Sequence, residues 1–122
     1  MPKVFIIDDD ITMVYLLRTL LEMDGYEVAE VQDWQAIIGT IQAESPDLIL
    51  MDYFLPDLDG LELLAQLRAD PMLTETRIIM SSGMDVSDQC MAAGADAFLL
   101  KPYTPEQLVE VIKETVGEDR AG

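Results

Sequence analysis

Four short apolar runs in this chain each end on a polar side chain: VFIID at Asp8, LILMD at Asp52, RIIMSS at Ser82 and AFLLK at Lys101. The runs have the length of strands, and amphipathic stretches of helical length lie between them. That alternation predicts βα units, and therefore a parallel sheet with helices on both faces. In open sheets of this kind ligands bind beyond the carboxyl ends of the strands. Two carboxylates, a hydroxyl and an ammonium are thus expected at one edge of one sheet.

The first strand is expected over residues 3–8. A helix follows in which Met13, Leu16, Leu17, Leu20 and Leu21 recur at spacings of three and four, with Asp10 as N-cap and Gly25 as the stop. Strand two, residues 27–31, alternates Val28 with Glu30 and suits an edge. A second helix is expected over 33–44, capped by Asp33, buried through Ala36, Ile37 and Ile41, and broken at Ser45-Pro46. Strand three covers 48–52, a loop with turn chemistry runs from Leu55 to Gly60, and a helix follows over 61–69. Then come a strand at 77–81, a short helix at 87–93, a strand at 97–100 and a last helix at 105–116. That helix has Thr104 as N-cap, Pro105 at its first position, Gln107 at its third and Gly117 as its stop. Residues 1–122 read as one domain, with a flexible tail over 117–122.

A chain of 122 residues buries roughly two-thirds of its unfolded surface, enough for a core without staples. Half of its residues are apolar, which excludes a disordered chain, yet no run approaches the roughly 18 apolar residues of a membrane span. MPKVFIIDDD is cut short by aspartates and is no signal peptide, so a cytoplasmic location is expected. Cys90 is the one cysteine and reads as a packing thiol, and histidine is absent. These facts remove disulfides, thiolate metal cages, most zinc sites and histidine-dependent catalysis from what the sequence itself supplies. With 24 acidic against 7 basic residues the net charge is -17. A phosphate backbone would be repelled, so no direct nucleic-acid or membrane partner is expected, and basic protein surfaces are favoured.

Asp8, Asp9 and Asp52 crowd negative charge, which raises carboxyl pKa values or demands a counter-ion. Magnesium, or manganese, suits such an oxygen set. Asp8 and Asp9 could instead cap the first helix. Asp52 ends an apolar run, where burial without a partner is costly. Beside a metal and a lysine, an aspartate can attack phosphorus and form an aspartyl-phosphate. Lys101 can neutralise phosphoryl oxygens or simply pair with Asp52; Ser82 can donate a hydrogen bond to them, with Ser81 as its competitor.

From about residue 2 to residue 116 the pattern resembles the receiver domain of two-component response regulators, of the chemotaxis-regulator-like kind. The motifs that carry the resemblance are IIDDD at 6–10, MDYFLPDLDG at 51–60, IIMSSG at 78–83 and GADAFLLKP at 94–102, in that order. The resemblance implies an α/β, flavodoxin-like (βα)5 sandwich with strand order 2-1-3-4-5. It makes Asp52 the phosphoryl acceptor, Asp8 and Asp9 the magnesium pair, and the Phe54 backbone carbonyl a further metal ligand. Ser82 matches the switch hydroxyl, Lys101 the family lysine, and Pro102 a cis-peptide position. Phe98 matches the aromatic switch position, a plain core phenylalanine being the other reading.

The phosphoryl donor implied is a phosphohistidine on a sensor histidine kinase or phosphotransfer protein. The output implied is a change in the face made by the fourth helix, fifth strand and fifth helix, read by a downstream protein target or by a second copy in a phosphorylation-dependent homodimer. Such a chain is a signalling switch that catalyses only its own phosphoryl transfer and release. The residues after Val116 are too few for an output domain, which fits a stand-alone regulator and a receiver cut from a longer protein equally. Phe54 and Met84 are bulky where they flank the acceptor and the switch hydroxyl, so attacking water should be poorly positioned and the phosphoryl group long-lived. Phe98 is not tyrosine, which removes a hydrogen-bonded switch.

Three rivals have less behind them. An FMN-binding module on the same fold needs a hydroxyl- and glycine-rich loop where Asp8, Asp9 and Asp10 stand. A metal-dependent phosphatase needs a general acid beside Asp52, where Tyr53 and Phe54 follow. A receiver-like interaction module that no longer accepts phosphate would not need the acidic pair, acceptor, hydroxyl and lysine, all of which are present.

Overall fold

The computed structural model describes residues 2–31 and 33–117. Five parallel strands, β1 (Lys3–Ile7), β2 (Glu27–Glu30), β3 (Leu48–Asp52), β4 (Arg77–Ser82) and β5 (Ala97–Leu100), form one sheet in the order β2-β1-β3-β4-β5. The helices are α1 (Ile11–Met23), α2 (Ile37–Glu44), α3 (Gly60–Ala69), α4 (Ser87–Ala92) and α5 (Pro105–Val116). This is the flavodoxin-like three-layer arrangement and the strand order expected, with β2 at an edge.

Successive residues of a strand point to opposite faces, and here both faces are buried, which is why the central strands read as continuous apolar runs. Phe5, Ile7, Ile49, Met51, Ile78 and Met80 pack with Ile37 and Ile41 of α2, Leu63, Leu64 and Leu67 of α3, and Cys90 of α4. Val4, Ile6, Leu48, Leu50, Ile79 and Leu99 pack on the other face with Val14, Leu17 and Leu21 of α1 and Leu108 and Ile112 of α5. Each such side chain contributes roughly 1.5–3 kcal/mol relative to exposure. Cys90 is fully buried, as a packing thiol should be, and burial pushes its pKa up.

Local chemistry sets the helix starts. The Asp10 carboxylate accepts from the Met13 N–H at 3.1 Å, and Asp33 and Asp59 accept from Gln35 and Leu61 at 3.0 Å. Thr104 and Gln107 complete a reciprocal capping box at the start of α5. Gly117 ends that helix in the left-handed region, and Lys101-Pro102 is cis as the resemblance implies.

Several expectations are corrected. On α1, Leu16 is 53% exposed and Val14 takes its place inside, because a straight helix lets only a narrow stripe reach the sheet. Ala36 is exposed, since residues 34–36 form a 3-10 turn that rotates it away before α2 begins. Where a loop is expected from Leu55 to Gly60, residues 54–59 form a two-stranded hairpin in which Phe54 pairs with Asp59 and Leu55 with Leu58. Strands of two residues are too short to show any periodicity. A further 3-10 turn, Pro71–Leu73, follows α3. β1 stops at Ile7, one residue before Asp8, and β4 runs on to Ser82. Of the tail expected over 117–122, residues 118–122 lie outside those described.

Candidate functional site

The sheet brings the strand ends together as the sequence predicts. β1 pairs with β3 through Ile7 opposite Met51, and β3 with β4 through Asp52 opposite Ser81. The residues that follow β1 and β5 therefore sit on either side of the end of β3. Lys101 Nζ lies 3.2 Å from Asp8 Oδ2 and 3.4 Å from Asp52 Oδ2. The Asp8 side chain is 5% exposed and that of Asp52 is 12% exposed. Asp9 stands exposed beside them, and Asp8, Asp9 and Asp52 each present a carboxylate oxygen within 4.8 Å of the others.

The first loop divides its labour. Asp10 is the helix cap, while Asp8 turns back: its Oδ1 accepts from the Asp10 N–H at 2.9 Å and its Oδ2 meets Lys101. Capping therefore accounts for Asp10, and leaves Asp8 and Asp9 to the acidic pocket. Nor is Lys101 a simple partner of Asp52, because the ammonium is shared between two carboxylates.

Burial, against the pull of Lys101, holds the Asp52 carboxyl above the ordinary aspartate range, and the nearby charge of Asp8 adds to that rise. The Phe54 backbone N–H hydrogen-bonds Asp52 and opposes it. At Lys101 burial works against the charge, yet the carboxylates of Asp8 and Asp52 outweigh it and hold the ammonium above its usual pKa. Three carboxylates against one ammonium leave two negative charges in a pocket of hard oxygen donors. A divalent cation of the magnesium kind fits that deficit and that donor set.

Ser82 is fully buried at the end of β4, and its Oγ accepts from the Met84 N–H at 3.0 Å. Ser81, 2% exposed, is the register partner of Asp52, and its carbonyl accepts from the Tyr53 N–H at 2.8 Å. Phe98 pairs in register with Met80 and is half-buried against the α2–α4 core. At the rim Phe54 is 54% exposed and Met84 61% exposed. The Phe54 ring stands edge-on to Tyr53 with centroids 4.7 Å apart.

Two residues enter the site that the sequence did not single out. Burial and the charges of Asp8 and Asp52 push the Tyr103 phenol up to about 12. Its only sequence signal is a place two residues after Lys101. Gly60 has a nearer claim: a Cβ there would lie 2.4 Å from the Tyr53 carbonyl oxygen. It marks a close approach between the start of α3 and the residue after Asp52, and in the sequence it looks like any turn glycine.

The family model described as the response regulator receiver domain matches residues 4–113. The chain belongs to the response regulator receiver family. The phosphate regulon transcriptional regulatory protein PhoB of Pseudomonas aeruginosa is 34% identical over 113 residues, covering 90% of this chain and 49% of that protein. A solved CheY-like receiver domain protein from Methanospirillum hungatei covers 100% of this chain and 99% of its own, with 32% identity and a TM-score of 0.87. The receiver domain of a sensor histidine kinase from Pseudomonas aeruginosa PAO1, solved with a magnesium ion coordinated in its active-site cleft, shares the fold at 24% identity and a TM-score of 0.83. It covers 95% of this chain and 98% of its own. The chain spans about half the length of the curated relatives it matches. As a receiver of two-component signalling it is a switch module. No helix among its described residues is long and apolar enough to cross a membrane.

Proposed function

We propose that this receiver takes a phosphoryl group onto Asp52 from a phosphohistidine of a sensor histidine kinase or phosphotransfer protein. The observation that carries the reading is the Asp52 carboxylate itself. It is nearly buried at a strand end, 3.4 Å from Lys101 and within reach of Asp8 and Asp9. An Asp52 oxygen attacks phosphorus, the O–P bond forms as the donor's P–N bond breaks, and the imidazole nitrogen keeps the electron pair. Lys101 moves from its carboxylate partners to the phosphoryl oxygens, so its charge is present before the transfer and need not be recruited. Release is attack of water on the same phosphorus: the new O–P bond forms as the Asp52 O–P bond breaks, the carboxylate keeps the electron pair, and inorganic phosphate leaves.

Asp8, Asp9, Asp52 and the Phe54 carbonyl would hold magnesium, or manganese. When bound, the ion supplies charge compensation for the phosphoryl oxygens. Ser82 then exchanges its contact with the Met84 N–H for one to the phosphoryl group, and Phe98 follows inward. That movement reshapes the face made by α4, β5 and α5 for a downstream protein or a second copy of the chain. Residues 1–122 act as one receiver unit in the cytoplasm. If it belongs to a longer transcriptional regulator, DNA is contacted by segments outside residues 1–122, since these 122 residues carry a net charge of -17.

Intact mass after incubation with acetyl phosphate and magnesium tests the assignment. Wild type gains one phosphoryl group and Asp52→Asn gains none; an adduct that survives in Asp52→Asn refutes it. The rim makes a second prediction. An exposed phenyl ring at position 54 cannot orient water, so Phe54→Asn should shorten the lifetime of the phosphorylated protein severalfold. An unchanged decay rate would count against the role given to Phe54.

A further inference from the structure

A groove of about 490 Å³ opens beside the acidic pocket, between the start of α1 and the segment after β2. This falls in the range of about 300–1,000 Å³ typical of ligand clefts. Its lining includes the apolar Val14 and Val31 and two aromatic side chains, Tyr15 and Trp34. Tyr15 is 68% exposed although it sits on a helix whose other face is packed.

The charges around the groove are unequal. Its one basic side chain, Arg18, is already matched: Nη1 lies 3.2 Å from Glu22 Oε2 and Nη2 lies 3.0 Å from Glu30 Oε2. Two carboxylates against one guanidinium leave a net negative charge there, and Asp9 adds another at the end that meets the acidic pocket. An anionic occupant is repelled, and a purely apolar one brings no counter-charge to this carboxylate excess. A flat cation on an aliphatic stem satisfies every wall at once. Its methylenes lie along Val14 and Val31, its face stacks on Tyr15 or Trp34, and its N–H groups reach Glu30 and Asp9.

We propose that this groove receives an arginine side chain of a protein partner. The inference concerns recognition alone and does not depend on whether Asp52 is phosphorylated.

Trp34 is the only tryptophan of the chain and lines the groove, so its emission reports occupancy. The probe is a blocked alanine–glutamine helical peptide with one central arginine, compared with the same peptide carrying citrulline, which keeps the shape and loses the charge. The expected result is a saturable change in Trp34 emission, at least tenfold weaker affinity for the citrulline peptide, and severalfold weakening as salt is raised. Tyr15→Ala and Glu30→Gln should each weaken the arginine peptide at least threefold. Tyr15 is exposed enough that its truncation leaves the core in place, and the far-ultraviolet spectrum checks this. Backbone amide shifts on adding the arginine peptide should centre on residues 11–18 and 30–34. Equal binding of the two peptides, shifts centred elsewhere, or no saturable response would each overturn the proposal.

Discussion

Two cations anchor opposite edges of this sheet, and they are held very differently. Arg68, at the edge where the strands begin, donates from Nε to the Gly94 carbonyl and from Nη1 to the Thr76 carbonyl, both at 2.7 Å, and from Nη2 to Asp96. Asp96 in turn accepts from the Ile78 N–H at 2.8 Å. One charge meets one charge, and the remaining donors meet carbonyls. Lys101, at the edge where the strands end, lies between two carboxylates with a third nearby, and its surroundings stay negative. A charge that is fully satisfied ties α3, the turn before β5 and the start of β4 into one body. A charge set left two units short is a site that waits for a ligand. The same fold holds both, and only the second has chemistry.

The largest effect should come from breaking the satisfied edge. Arg68→Ala leaves Asp96 without its counter-charge and two carbonyls without donors, a loss of about 3 kcal/mol for a pair of this partly buried kind. Urea unfolding should show it as a lower midpoint. Labelling of the folded fraction by acetyl phosphate should stay near the wild-type rate. If labelling collapses while the protein is folded, the two edges are not independent and the comparison fails.

A change between the two should move both readouts. In Gly60→Ala the new methyl would meet the Tyr53 backbone at 2.4 Å, and backbone cannot swing aside as a long side chain can. Overpacking of this sort costs typically 1–3 kcal/mol. The strain relaxes by shifting Tyr53, next to Asp52, so labelling should slow by about tenfold, as misplaced reacting groups do. A destabilised variant with an unchanged labelling rate would place Gly60 with Arg68, on the structural side.

The two edges also differed in how openly the sequence announced them. Asp8, Asp52, Ser82 and Lys101 end apolar runs, and a polar residue closing a buried strand has one place to go. The acidic pocket followed from that, whereas the strand order came with the resemblance to receiver domains and the caps from the Asp, Thr and Gly residues at the helix ends. Arg68 gave no such sign: it lies near the end of a helix where a basic side chain is ordinary, and its partners come from two other segments, Thr76 before β4 and Gly94 and Asp96 in the turn before β5. The groove lined by Tyr15 and Trp34 was equally hidden, since neighbours across a sheet edge leave no periodic trace. Ala36 and Leu16 were misplaced because apolar spacing marks a stripe without fixing its margins. The hairpin after Asp52 was missed because two-residue strands carry no pattern.

The unsatisfied edge should yield the smallest effect, and one of opposite sign. Burial raises the Asp52 carboxyl in the folded protein, so the folded state holds that proton more tightly than the unfolded chain does. The contribution of Asp52 to stability is therefore most favourable below the ordinary aspartate value, and is lost as pH rises through the window from that value up to the raised one. At neutral pH, without magnesium, the ionised carboxylate strains the fold. Asp52→Asn should then be more stable than wild type by on the order of 1 kcal/mol, as single-site changes commonly go, and its stability should fall less across the acid range. Thermal unfolding in chelator at several pH values measures this. Magnesium should reverse the order, because an ion that binds the folded state stabilises it by mass action and the amide gives that ion a weaker ligand. If Asp52→Asn is the less stable variant in chelator, Lys101 already satisfies Asp52 as Asp96 satisfies Arg68, and the distinction between the two edges is wrong.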